Sequence, residues 1–190
     1  DAALDDLHKA GLPDDTEAKI FSVAEFWMPP PLPTNDEKFE EYLPPANPKW
    51  LEIHKQVVGK SVSETEILVR HAKERLQIKF PHWKVCCEVK YGSPAQEILA
   101  LAEVFKPDLI VVGSQGKTAI SRILLGSISG KVLAEAKCSV RVARGRIEVD
   151  PAPVRILIGF DGSPGSMAAV DAVVSRKWRE YSEVRLVSAT

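Results

Sequence analysis

Val112-Gly113-Ser114-Gln115-Gly116-Lys117-Thr118-Ala119-Ile120-Ser121-Arg122-Ile123-Leu124-Leu125-Gly126-Ser127-Ile128-Ser129 decides how this chain is read. It follows the apolar run Leu109-Ile110-Val111, as expected of a parallel strand covered by helices on both faces. Gly113 and Gly116 let the backbone approach a ligand closely, and a helix beginning at Ser127 would offer unpaired N–H groups and a dipole that favour phosphate. Ser127 and Ser129 add hydroxyls. In an open α/β sheet the crevice lies at the carboxyl ends of the strands, where this segment stands.

On its amino-terminal side, Ser93-Pro94-Ala95-Gln96 predicts a capped helix start with a capping box, and Lys106-Pro107-Asp108 closes that helix. Trp83 to Lys90 reads as a strand, with the adjacent Cys86 and Cys87 on opposite faces. Leu68, Ala72 and Leu76 give Ser61 to Lys79 the spacing of an amphipathic helix ended by Pro81. Seven prolines between Pro29 and Pro48 forbid a regular element there and leave a long loop or lid. Lys19 to Trp27 is a buried strand around Ile20-Phe21-Ser22-Val23-Ala24, preceded by a short helix through Ala2, Leu4 and Leu7 that stops at Gly11-Leu12-Pro13. On the carboxyl side, Ser127 to Ala136 is a helix and Ser139 to Ala143 a strand. Strand and helix alternate, so the fold class is α/β, a doubly wound parallel sheet.

After a linker over 145–154, the start of the chain recurs. A shift of 166 residues superimposes Ala2, Ala3, Asp5, Glu17 and Ser22 on identical residues at Ala168, Ala169, Asp171, Glu183 and Ser188, without a gap. The second copy includes a strand the first lacks, Arg155-Ile156-Leu157-Ile158-Gly159, leading into Phe160-Asp161-Gly162-Ser163. The expected organisation is one domain over 1–144 without its first strand, the linker, and the first strand, helix and second strand of another domain over 155–190. Read this way, the sequence is trimmed at both ends relative to a tandem protein.

Composition narrows the function. Hydrophobic residues are 45%, charged residues 27% and the net charge is −1, so the electrostatic footprint of a nucleic-acid binder is missing. No run approaches the ~20 apolar residues of a membrane span, and the N-terminus lacks a signal pattern, so a cytoplasmic location is expected. The three cysteines form no C-x-x-C pair and no His/Cys cluster has metal-ligand spacing, so structural thiols and no metal site are expected. The four histidines are spread over different elements and read as ordinary surface or satisfied residues.

Two phosphate motifs fail. Gly116-Lys117-Thr118 resembles the tail of a P-loop, but Val111 stands where its first glycine belongs, and no G-x-G-x-x-G is present. What remains, two glycines separated by two residues, then nine residues, then Gly-Ser, resembles the G-x2-G-x9-G-[S/T] signature of ATP-binding universal stress proteins. The resemblance runs from the first helix to Ala143 and resumes at Arg155. It implies five parallel strands in the order 3-2-1-4-5 and pairing with another such domain through the last strand, Ser139–Ala143, as a homodimer or within one chain. It also implies a site for ATP, with or without magnesium. Val112, Gly113, Gln115 and Gly116 would lie by ribose and phosphates, Gly126, Ser127, Ile128 and Ser129 would hold the phosphate chain, and the Val23 backbone would meet adenine.

The family's aspartate at the end of the first strand is matched only by Asp161, in the second copy. Either the first copy's aspartate lies upstream of Asp1, or the second copy's strand docks into the vacant place and Asp161 completes the site. Without a ligand, the glycine segment is a turn packing helix on sheet, and Asp161 a turn former in Asp-Gly-Ser-Pro. Neither a histidine nor a carboxylate pair falls within the signature, so a stress-response binding and signalling module is expected rather than an enzyme. The alternatives are a structural dimer module with no nucleotide, and slow ATP hydrolysis on a loop echoed weakly by Asp161-Gly162-Ser163-Pro164-Gly165-Ser166.

Overall fold

The computed structural model describes residues 2–24, 48–114, 125–144 and 152–188. In chain order the elements are α1 (Ala2–Asp6, continued by a 3-10 turn over Leu7–Lys9), β1 (Glu17–Ala24), α2 (Pro48–Lys79), β2 (Lys84–Tyr91), α3 (Pro94–Phe105), β3 (Leu109–Gly113), α4 (Ser127–Glu135), β4 (Ser139–Ala143), β5 (Arg155–Gly159), α5 (Pro164–Val174) and β6 (Glu183–Val187). All strand pairing is parallel, which fits the helical crossovers between successive strands.

The described strands form three two-stranded ladders, β1–β2, β3–β4 and β5–β6. The first two are the end pairs that a 3-2-1-4-5 order requires, but no ladder joins β1 to β3 among the described residues. β5 does not dock between them; it pairs with β6, with Arg155 opposite Glu183 and Gly159 opposite Val187.

One core nonetheless links the first two ladders. Leu7, Leu76, Trp83 and Val85 are buried together, with Ile20 of β1 and Val111 of β3 packed against them. Helix α1 ties both sides with adjacent aspartates. Asp5 accepts from Lys79 at 2.7 Å and from Arg75 at 3.0 Å on α2, while Asp6 receives the Arg141 guanidinium of β4 through both oxygens. The Lys79 hydrogen bond, ahead of the charges of Lys79 and Arg75, holds the Asp5 carboxyl below its ordinary value against the opposing effect of burial.

Several boundaries depart from expectation. Helix α2 begins at Pro48 rather than Ser61, because proline is tolerated in a first helical turn where its missing N–H has no partner to lose. Ser93 precedes α3 as expected, but its side chain makes no cap bond, so the expected capping box is not formed through it. The chain leaves α3 through Lys106 in a left-handed conformation, with φ of 52°. His8 donates Nδ1–H to the Asp5 carbonyl, but its buried Nε2 has no partner among the described residues, contrary to the reading of a satisfied histidine. The remainder of the proline-rich stretch expected as a loop, and most of the expected 145–154 linker, lie outside the described residues. Among the described residues no helix is long and apolar enough to cross a membrane, and no group of three or more metal-ligating side chains occurs.

Among the described residues, the C-terminal segment meets the rest at a joint around Gly11. Lys177 donates its N–H to the Gly11 carbonyl at 2.9 Å, and Arg176 reaches the Ala10 carbonyl at 3.5 Å. Gly11 has φ of +65°, and a Cβ there would lie 2.9 Å from the Lys177 carbonyl oxygen and 3.1 Å from the Trp178 ring. Gly11→Ala is therefore expected to cost about 1–3 kcal/mol, through backbone strain and the clash with a carbonyl that cannot rotate away. A denaturant midpoint indistinguishable from that of the parent chain would sink this account.

Candidate functional site

The two ends of the glycine segment meet. The Gly126 N–H donates to the Ser114 carbonyl at 2.8 Å, although twelve positions separate them. Ser114 is itself anchored by its N–H to the Ala143 carbonyl of β4 at 2.7 Å, so the strand ends of β3 and β4 fix the start of α4. Ser129, 2% exposed, donates its hydroxyl to the Gly126 carbonyl at 3.0 Å and lies 3.4 Å from the Ser114 carbonyl. Its hydroxyl thus locks the turn internally, whereas it was expected to serve the phosphates.

Gly126 precedes the helix in an extended conformation and, lacking a side chain, supplies no cap to α4. The N–H groups of Ser127 and Ile128 therefore lack the intrahelical partners of later turns and a side-chain acceptor. Ser127 and Gly113 are exposed, while Gly126 and Ile128 are half-buried. This is a concentration of donors and helix dipole at the carboxyl end of a parallel strand, with small residues around it.

Val112 pairs with Val142 inside the β3–β4 ladder and Gly113 with Ala143 at its end. Val23 sits opposite Lys90 near the carboxyl end of β1, the same end of its own ladder. Gln115 and Gly116 lie outside the described residues. The residue that sequence reasoning missed is Ser114: it is 8% exposed, and its carbonyl takes the bond that closes the segment. Its position directly after Gly113 was the available signal.

Asp161 is elsewhere, at the carboxyl end of β5. A cavity of about 590 Å³ there is lined by Phe160, Asp161, Ser163, Ser166 and Val187, all from the C-terminal segment. Asp161 accepts the Ser163 N–H at 2.9 Å, Ser163 Oγ accepts the Ser166 N–H at 3.2 Å, and the Ser166 hydroxyl donates to the Ser163 carbonyl at 2.9 Å. The polar groups of this loop thus cap α5. The Ser163 hydroxyl, then the Ser163 N–H and the Ser166 hydroxyl, lower the Asp161 carboxyl from 3.8 to about 2. A lowered pKa means the charged form is favoured in the fold, so the contribution is present above the ordinary value and is lost as pH falls toward 2. A carboxyl-carbon NMR titration is expected to place the Asp161 midpoint near 2, and Ser163→Ala to move it back toward 3.8. A midpoint near 3.8 in the parent chain would contradict the cap.

Parallel ladders, crossover helices and an uncapped helix start at the strand ends define a member of the open α/β proteins whose crevice lies at the carboxyl side of the sheet. The chain belongs to the universal stress protein family, which matches residues 10–144. It is 48% identical over 61 residues to universal stress protein MJ0531 of Methanocaldococcus jannaschii, a match covering 32% of this chain and 36% of that protein. It is 31% identical over 104 residues to universal stress protein Mb2028c of Mycobacterium bovis, covering 54% and 35%. The chain thus spans about a third of the length of these relatives. Among solved structures, hypothetical protein MJ0577 aligns with a TM-score of 0.58 at 23% identity, over 77% of this chain and 88% of that one. The universal stress protein UspA from Lactobacillus plantarum aligns at 0.52 and 20% identity, over 66% and 76%. These two support the fold.

Proposed function

We propose that this chain is a nucleotide-binding stress-response module that holds ATP, with or without magnesium, at the segment from Val112 to Ser129. The observation that carries the reading is the closure of that segment by the Gly126 N–H on the Ser114 carbonyl. Closure sets the uncapped start of α4 beside the end of β3, so Ser127 and Ile128 N–H groups and the Ser127 hydroxyl converge where a phosphate chain would lie. Gly113 and Gly126 keep side chains out of that approach. Val23, at the same end of β1, offers backbone groups to an adenine edge. Gln115 and Gly116 are assigned to the ribose and phosphates by their place in the signature alone.

The module binds; chemistry is not assigned to it. No histidine or carboxylate stands within the closed segment, and the Asp161 loop commits its hydroxyls to capping α5. Pairing with another domain of the same kind, in a second copy or within one chain, would use β4, which has one ladder among the described residues and therefore a second edge available. The test is to heat the purified chain with and without magnesium-ATP and to identify co-purified ligand by mass spectrometry. Binding to the folded state alone must raise the melting temperature. No rise and no ligand would reduce the reading to a structural module.

A further inference from the structure

We propose that the joint beside Gly11 is an anion site, in which the guanidinia of Arg141 and Arg176 together take a phosphate-class oxyanion that fastens the C-terminal segment to α1. Both cations stand on one short stretch of chain. Arg141, from β4, spends Nε and Nη2 on the two oxygens of Asp6, while Arg176, just beyond α5, reaches the Ala10 carbonyl through Nη1 at 3.5 Å. Asp6 and Ala10 are four residues apart, about 6–8 Å along a helical or 3-10 path, a span that one tetrahedral oxyanion between the two guanidinia can bridge.

The charges at this joint do not cancel. Asp6 offers one carboxylate to two guanidinia, and its neighbour Asp5 is already engaged by Arg75 and Lys79 of α2. Nη1 of Arg141 and the Nε–Nη2 edge of Arg176 have no protein acceptor among the described residues. Arg176 is half-buried, so it has given up part of its water without gaining a counter-charge. Burial, then the charge of Arg141, pulls its guanidinium below the ordinary value. An oxyanion meets both deficits: it brings negative charge, and its oxygens accept paired bonds from a planar guanidinium edge. The place is separate from the proposed nucleotide segment, because the joint lies upstream of β1 and β6, at their amino ends, whereas α4 starts beyond the carboxyl end of β3. Recognition here is by charge and shape, whether the ligand is free phosphate or a phosphate ester. An anion held by both arginines belongs to both segments, so its occupancy closes the joint.

Amide hydrogen exchange of the full chain, with and without inorganic phosphate at constant ionic strength, reads the joint through the Lys177 N–H, which donates to the Gly11 carbonyl at 2.9 Å. Phosphate at about ten times its dissociation constant should slow that exchange about tenfold, because only the closed joint binds. Arg176→Gln should abolish the slowing. Asp6→Asn, which frees Arg141 from its carboxylate, should tighten phosphate binding roughly tenfold, a gain that a loosened or unfolded segment cannot produce. Methyl phosphate acting as well as inorganic phosphate would mark an esterified ligand, and failing to act, free phosphate; both results keep the site. No slowing at Lys177 overturns the inference, as does slowing that survives Arg176→Gln or a phosphate response lost in Asp6→Asn. Phosphate that protects the Gly126 N–H instead of that of Lys177 would lie at the start of α4, which supports the nucleotide reading and overturns this one.

Discussion

Gly126→Asp is expected to abolish the rise in melting temperature that magnesium-ATP would give the parent chain, while leaving the protein folded. Gly126 occupies the position before α4 with φ of −62° and ψ of 154°, a conformation open to any residue. Aspartate is among the preferred residues there, since its carboxylate can accept from the first helical N–H groups. The substitution therefore satisfies the donors that ATP would use and adds a negative charge where phosphates would sit. With ligand at ~100 times its dissociation constant, binding contributes ~2.7 kcal/mol to the parent chain. For a chain of this length that corresponds to a shift of about 5–10 °C. The variant should show no shift, with an unliganded melting temperature equal to or above that of the parent. A variant that still responds to ATP would remove Gly126 and the start of α4 from the site.

Trp83→Ala should be the most damaging single change to the fold. The indole is 6% exposed, stacks on Phe80 with ring centres 4.0 Å apart, and donates Nε1–H to the Pro13 carbonyl at 3.0 Å. It thus ties the end of α2 and the start of β2 to the turn before β1. Truncation removes apolar contact, opens a cavity and takes one of two donors from the Pro13 carbonyl, which keeps the Thr16 hydroxyl at 2.7 Å, at a cost of about 3–5 kcal/mol. The melting temperature should fall by roughly 10 °C or more. Trp83→Phe retains most of the packing but not the hydrogen bond, and should fall between. A loss below ~1 kcal/mol for the alanine variant would show that this cluster is not where the core gains its stability.

Much of the fold was legible because hydrophobic period and punctuation agree over short spans. The apolar run at Leu109 to Val112 and the alternation from Trp83 to Lys90 became β3 and β2 within a residue or two. Helix α2 was cut short because prolines were read as breakers without asking which helical position each takes. Pro48 is harmless at a start, where it would be costly in the interior. Strand partners are a different kind of information. Periodicity reports which face is buried, not which edge is occupied, so the β1–β2 and β3–β4 ladders were implied only by the strand order that the resemblance carries. At the site, glycine spacing pointed to a closed turn, and Gly126 does return to Ser114. The buried hydroxyl of Ser129 was expected to face a ligand, but alternation of faces within the first helical turn directs it into the protein. Asp161 was identifiable by motif, but its lodging with β6 depends on long-range pairing.

The joint at Gly11 has a geometric consequence. Ala10 and Gly11 meet Arg176 and Lys177, which stand 166 residues further along the chain. Both halves of the contact lie just upstream of their strands, at the amino ends of β1 and β6. The carboxyl ends of β1 and β6 are therefore the strand ends remote from this contact. The joint thus fastens the two segments at the strand ends opposite those assigned to a nucleotide.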